Sequence, residues 1–213
     1  TINNLISIQN ELKSSSEKYI PPKIIAVSKT FPITSIQPLI DYGHLHFGEN
    51  KVQEAMDKWS NLKAQNSDIK LHMIGKLQTN KVKYVIPLFD YIHSLDNLKL
   101  AEKISLEQKK INKNLKIFIQ INIGNETQKS GIEPSHLENF YNKCVNELKL
   151  NIIGLMCIPP QIDVEAHFAN MQKINKQLNL KELSMGMSAD YLIAKNYGST
   201  FIRVGSKIFG SRT

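Results

Sequence analysis

The feature that most constrains this chain is an alternation: eight short apolar runs, each but the last followed by a helical pattern, from residue 24 to the C-terminus. The runs at residues 24–30, 45–47, 71–74, 91–94, 116–121, 152–156, 183–187 and 201–204 have the length and apolar content of strands buried on both faces, as in a parallel sheet. Helical patterns fill the gaps at 34–42, 49–65, 79–86, 96–110, 134–148, 163–178 and 189–197, and another at 2–18 leads the first strand. Val52, Met56, Trp59 and Leu62 share one helix face, and Leu137, Tyr141, Cys144 and Leu148 share another. The punctuation agrees, with Gly43 and Gly198 after helices, Pro87 stopping one, and Asp96 and Thr34 or Ser35 at positions suited to caps. Eight β/α units in strict succession predict an α/β fold closed as a (β/α)8 TIM barrel rather than an open doubly wound sheet, which more often has five or six strands. No linker, repeat or low-complexity tract interrupts the pattern, so residues 1–213 are expected to form a single barrel domain with short loops.

Composition removes several function classes. Cys144 and Cys157 lie in apolar surroundings without a CxxC or a His/Cys cluster, which reads as small core residues rather than a disulfide or metal site. No segment approaches the ~18 to 20 apolar residues of a membrane span, and a cytoplasmic protein with no membrane partner is expected. The net charge of +8 comes almost wholly from lysines interleaved with acids; only Arg203 and Arg212 are arginines. A nucleic-acid surface uses arginine for bidentate contacts with aromatic stacking partners nearby, and no such patch is visible, so no nucleic-acid partner is expected.

In a barrel of this kind, chemistry sits at the C-terminal ends of the strands. Read in order, those ends carry Lys29, Glu49 with Asn50, Gly75 with Gln78 and Asn80, Ser94, Asn122, Met156, Ser188, and Gly205 with Ser206. Lys29 is either a solvated lysine ending a strand or a nucleophile that forms a Schiff base with a carbonyl compound. The loops after strands seven and eight, Met185-Gly186-Met187-Ser188 and Arg203-Val204-Gly205-Ser206, are either ordinary turns or a phosphate site. A phosphate pocket together with a strand-end lysine suggests a phosphorylated aldehyde, and pyridoxal phosphate (PLP) has both features.

The segments AVSKT, FGEN..QE (Phe47 to Glu54), H.IG.LQ.NK, INI.....KSG (Ile121 to Gly131), GLM.IP, and LSMGMSADY followed by GST.IRVGS.IFG.R carry a resemblance over nearly the whole chain. It resembles the YggS/PROSC family of pyridoxal phosphate homeostasis proteins, whose barrel is similar to the N-terminal domain of alanine racemase. The resemblance implies Lys29 as the Schiff-base lysine and Asn50 beside the cofactor ring. It further implies Ser188, Gly205 and Ser206 on the phosphate, and Arg203 against the pyridine nitrogen. Lys195 departs from the apolar residue of relatives, and Lys51 departs at an exposed position. An arginine must donate to the ring nitrogen, which leaves that nitrogen unprotonated and the ring a poorer electron sink.

The expected function is therefore a PLP carrier or buffer without efficient turnover, a monomer whose partners are the cofactor and the apo forms of PLP enzymes. The alternative is a one-domain amino-acid racemase or related PLP enzyme with Lys29 as one base and a tyrosine or histidine near the rim as the other. Alanine racemase draws its second base from a partner subunit, in an arrangement that uses a C-terminal β-domain expected to be missing after the eighth strand here. A metal-dependent hydrolase reading, prompted by His44-Leu45-His46, is disfavoured because His44 begins a strand, on the stability face. His72 and His93 are expected as satisfied core residues. Lys76, Lys81 and Lys207 are candidates for the rim.

Overall fold

Strands that are apolar on both sides need helices outside and side chains inside, and a closed parallel barrel supplies both. The computed structural model describes residues 1–14, 20–126 and 128–210; the predicted end of the leading helix at Lys18, and Arg212, fall outside them. Strands β1 (Lys23–Val27), β2 (His46–Glu49), β3 (Lys70–Met73), β4 (Tyr91–Leu95), β5 (Lys116–Ile121), β6 (Ile152–Cys157), β7 (Glu182–Ser184) and β8 (Phe201–Val204) pair in parallel in chain order. β8 then pairs with β1, with Ile25 beside Arg203, and the barrel closes. Around it lie α1 (Ile2–Ser14), α2 (Ile33–Asp41), α3 (Val52–Gln65), α4 (Val82–Leu88), α5 (Leu98–Lys110), α6 (Leu137–Asn142), α7 (Val164–Gln177), α8 (Tyr191–Asn196) and α9 (Ser206–Phe209).

Two cores follow from the two-residue alternation of the strands. The larger lies between strands and helices and includes the fully buried Trp59, Phe47, Phe89 and Phe168. The smaller fills the barrel with Ile25, Tyr91, Phe118, Met156 and Phe201. Cys144 and Cys157 are free and buried, and burial pushes both thiols up to about 12. None of the helices in the described residues is long and apolar enough to cross a membrane.

Several local expectations are corrected. Neither Thr34 nor Ser35 caps α2, because that helix starts at Ile33 after Pro32. Asn97, not Asp96, caps α5: its Oδ1 accepts the Leu100 N–H at 2.9 Å. Pro87 does not stop α4: the helix runs one residue further to Leu88 and closes at Phe89, whose N–H donates to the Val85 carbonyl. Beyond residue 47, β2 continues through Gly48 and Glu49, because Glu49 is buried among outer-face partners that the apolar pattern did not reveal. β7 ends at Ser184, well before residue 187, because the chain turns at Gly186 with φ +94°. A Cβ there would stand 2.6 Å from the Ala194 Cβ, so glycine lets α8 close in. Lys195 is fully buried in α8, and its ammonium donates to the carbonyl of Leu12 at the C-terminal end of α1.

Candidate functional site

The alternation that puts Ile25 inside the barrel puts Val27 and Lys29 on the same face two and four residues later. The intervening outward residues anchor the turn. Ser28 donates to Glu49 Oε1 at 2.7 Å, and the indole N–H of Trp59 reaches the same oxygen at 2.9 Å. Lys58 donates to the Ser28 carbonyl at 2.9 Å and pairs with Glu49 at 3.0 Å and Glu54 at 3.1 Å. Thr30 follows with φ +68°, a left-handed conformation that a β-branched residue rarely adopts, and its N–H donates to Glu54 Oε1 at 2.5 Å. Burial alone would raise the Glu54 carboxyl; the Thr30 N–H and the Lys58 ammonium outweigh it and hold the group below the usual range. Lys29 is thus held between two anchored residues.

Lys29 opens into a cavity of about 830 Å³ at the C-terminal ends of the strands. All six residues singled out in the sequence line it: Lys29, Asn50, Ser188, Arg203, Gly205 and Ser206. Gly75 and Asn122 join them as expected at strand ends, and Lys76 lies on the wall. Gln78, Asn80, Ser94 and Met156 do not line it; Ser94 is buried in β4, and Met156 belongs to the inner core. Glu49 faces outward behind Lys29. Of the other rim candidates, Lys81 is not on the wall, and Lys207 is paired with Glu11 at 3.1 Å and with the Tyr191 hydroxyl at 2.6 Å.

Arg203 is the centre of the site's electrostatics. It is 4% exposed and has no carboxylate within ion-pair distance among the described residues. Nη1 donates to the Ser184 carbonyl at 2.9 Å and to Ser184 Oγ at 2.7 Å, and Nη2 donates to the Cys157 carbonyl at 2.8 Å. Three of its five N–H donors are engaged there, leaving two for a group in the cavity. Burial lowers its pKa, yet a guanidinium stays protonated at any ordinary pH. A buried cation whose partners are only neutral oxygens is costly for stability and points to a missing electron-rich partner.

The backbone around the cavity has the same character. A Cβ on Gly205 would meet Val27 only at an ordinary 3.4 Å, so no neighbouring atom of the described residues requires glycine there. Gly75 is different: a Cβ would stand 2.3 Å from the Asn50 carbonyl oxygen, so this glycine packs Asn50 against the wall. The Oδ1 of Asn50 is buried without a hydrogen-bond partner among the described residues. His44 precedes β2 rather than beginning it, and its Nε2 bonds the His46 carbonyl at 2.9 Å, away from this cavity.

Comparison with known proteins agrees with this geometry. A family model described as alanine racemase, N-terminal domain, matches residues 4–213. A pyridoxal phosphate homeostasis protein of Aquifex aeolicus is 36% identical over 89% of this chain and 87% of its own length. One from Pasteurella multocida is 36% identical over 98% of this chain and 96% of its own. The chain belongs to the pyridoxal phosphate homeostasis protein family. PipY of Synechococcus elongatus, solved with PLP bound, superimposes on this homeostasis-family barrel with a TM-score of 0.86 at 33% identity, covering 98% of this chain and 99% of that one.

Some residues of the homeostasis-family site escape a reading of strand ends. Gln120, Lys129 and Ser130 line the wall from β5 and the loop after it, and the KSG motif was the only signal for the loop pair. Ser184 lies in the LSMGMSADY segment, but nothing in the sequence tied it or the Cys157 carbonyl to Arg203, which they hold from 19 and 46 residues away in the chain.

Proposed function

We propose that this chain binds PLP at Lys29 and serves PLP homeostasis as a carrier or buffer of the cofactor, without efficient turnover of its own. The observation that carries the reading is Arg203, a buried guanidinium with no carboxylate within ion-pair distance among the described residues, on the wall that also presents Lys29. A pyridine nitrogen is the kind of neutral acceptor its two remaining N–H groups suit. When bound, PLP supplies an aldehyde that the Lys29 amine can capture reversibly with loss of water. Ser188 and Ser206 offer hydroxyl donors to a phosphate, and Gly205 lets one approach the backbone. Asn50, with an unpartnered Oδ1, stands to contact the ring substituents. Residues 1–213 act as one PLP-binding barrel domain in this reading, and apo forms of PLP enzymes are the recipients.

Arg203 favours a carrier over a racemase: a guanidinium can only donate, so beside a ring nitrogen it would leave that nitrogen unprotonated and weaken carbanion stabilisation.

Absorbance of wild type and Lys29→Ala, each incubated with PLP and desalted, tests the site. A yellow band in the wild type alone, fixed to Lys29 by borohydride, is expected; equal retention by both proteins returns Lys29 to an ordinary strand-end lysine. Exchange of amino-acid α-hydrogens in deuterated solvent at ordinary enzyme rates, dependent on Lys29, would instead establish a catalyst.

A further inference from the structure

Beneath Arg203, a line of polar side chains crosses the inside of the barrel. Ser184 Oγ on β7 lies 3.0 Å from Nδ1 of His93 on β4. Nε2 of His93 lies 2.9 Å from Nδ1 of His72 on β3, and Nε2 of His72 lies 2.9 Å from Nδ1 of His46 on β2. Ser184, His93 and His72 are fully buried, and His46 is the half-buried end. The rings are locked by packing: His93 stacks on Phe118 at 4.3 Å and His72 on Tyr91 at 4.1 Å, centroid to centroid. Burial keeps His72 and His93 neutral, and the Arg203 charge adds to that effect at His93.

A neutral imidazole carries one N–H and one bare nitrogen, so a file of three has two possible polarities. Arg203 decides between them. Its Nη1 can only donate, so one lone pair of Ser184 Oγ is already engaged, and the Ser184 hydroxyl hydrogen needs an acceptor of its own. The acceptor within hydrogen-bond reach of Oγ, among the described residues, is His93 Nδ1. His93 therefore carries its proton on Nε2 and donates to His72 Nδ1; His72 carries its own on Nε2 and donates to His46 Nδ1. The reverse polarity leaves a buried hydroxyl hydrogen unpaired, a substantial penalty.

We propose that Ser184, His93, His72 and His46 form a single-polarity hydrogen-bonded file that positions Arg203 as a donor toward the cavity. Each donated bond polarises the next and strengthens Ser184 Oγ as the acceptor that steadies the guanidinium. Ser184 and the three histidines are positioning residues; they touch Arg203 directly or through one another. The link from Arg203 to a bound ring rests on the PLP reading above, whereas the polarity of the file does not.

The test has two arms. In the cofactor-free wild type, nitrogen NMR of labelled histidine is expected to show Nε2–H and bare Nδ1 at His46, His72 and His93; an Nδ1–H tautomer, or a mixture, at His72 or His93 overturns the file. In Ser184→Ala, His93 is expected to lose its single tautomer. PLP retention should weaken by about tenfold, the effect of one charge-assisted hydrogen bond, and the absorbance band should shift, with Ser184→Thr restoring both. Unchanged band and affinity in Ser184→Ala would refute the positioning role. If PLP fails to bind the wild type at all, the PLP reading falls, and the first arm still decides the file.

Discussion

Thr30 occupies the left-handed region where glycine is at home, directly after the lysine that faces the cavity. Such a conformation costs a β-branched residue roughly 1 to 2 kcal/mol, and the Glu54 carboxylate on its N–H helps hold it. In Thr30→Gly the relief of strain competes with the greater freedom of glycine in the unfolded chain, about 0.5 to 1 kcal/mol. Melting should therefore show equal or slightly higher stability, while covalent capture of PLP slows severalfold because Lys29 is less firmly aimed. A stability loss above about 1 kcal/mol would mean that Thr30 is packed rather than strained. Gly205 makes the converse case. Since a Cβ there meets only ordinary contacts, Gly205→Ala should leave the urea midpoint nearly unchanged while weakening PLP retention. Lys29 and Gly205 were legible as cavity-lining candidates because they stand at strand ends within family motifs, and Arg203 because of the motif alone. The part Ser184 plays was not, although it sits in a quoted motif, because that part depends on His93, 91 residues away, and a single chain pattern carries no record of such a meeting.

Among the elements, β6 and β7 approach so closely that Gly154 has no room for a side chain: a Cβ would stand 1.9 Å from the Glu182 carbonyl oxygen. Gly154→Ala must push one strand from the other, and a loss of about 3 kcal/mol or more is expected from denaturant unfolding. A near-neutral result would show that β7, only three residues long, yields easily. The strands themselves were readable because each is a compact apolar run, and β5 and β8 match the expected bounds. The errors gathered where burial is polar. Glu49 is fully buried by hydrogen bonds to Ser28, Trp59 and Lys58, so hydrophobicity alone ended β2 too soon. Met187, apolar and thus strand-like in sequence, belongs to a cavity-lining turn after Gly186. Likewise the helix expected over 134–148 opens with a 3₁₀ turn at Pro134–His136 and ends in a π turn at Lys143–Glu147, irregularities that periodicity cannot distinguish from a continuous helix.

Taken together, the barrel buries imidazoles that the unfolded chain would leave in water. His72 and His93 have pKa values well below 6.5 in the folded state, so below about pH 6.5 the unfolded chain binds protons that the folded one does not. Their contribution is fully present above that pH and is lost as pH falls. Between about pH 6 and 5, above the range where carboxylates titrate, stability should drop by up to ~1.4 kcal/mol per pH unit for each histidine. Urea unfolding at three pH values measures the slope; a flat profile would show that the two rings are charged or hydrated within the barrel. The pairing of β1 with β8 reaches further. Lys29 follows the first strand and Arg203 stands in the last, so the two faces of the cavity come from opposite ends of the chain and meet only when the barrel shuts. The cavity is therefore fastened like a clasp: any cut or truncation that frees β8 from β1 parts Lys29 from Arg203 at once, without altering either residue.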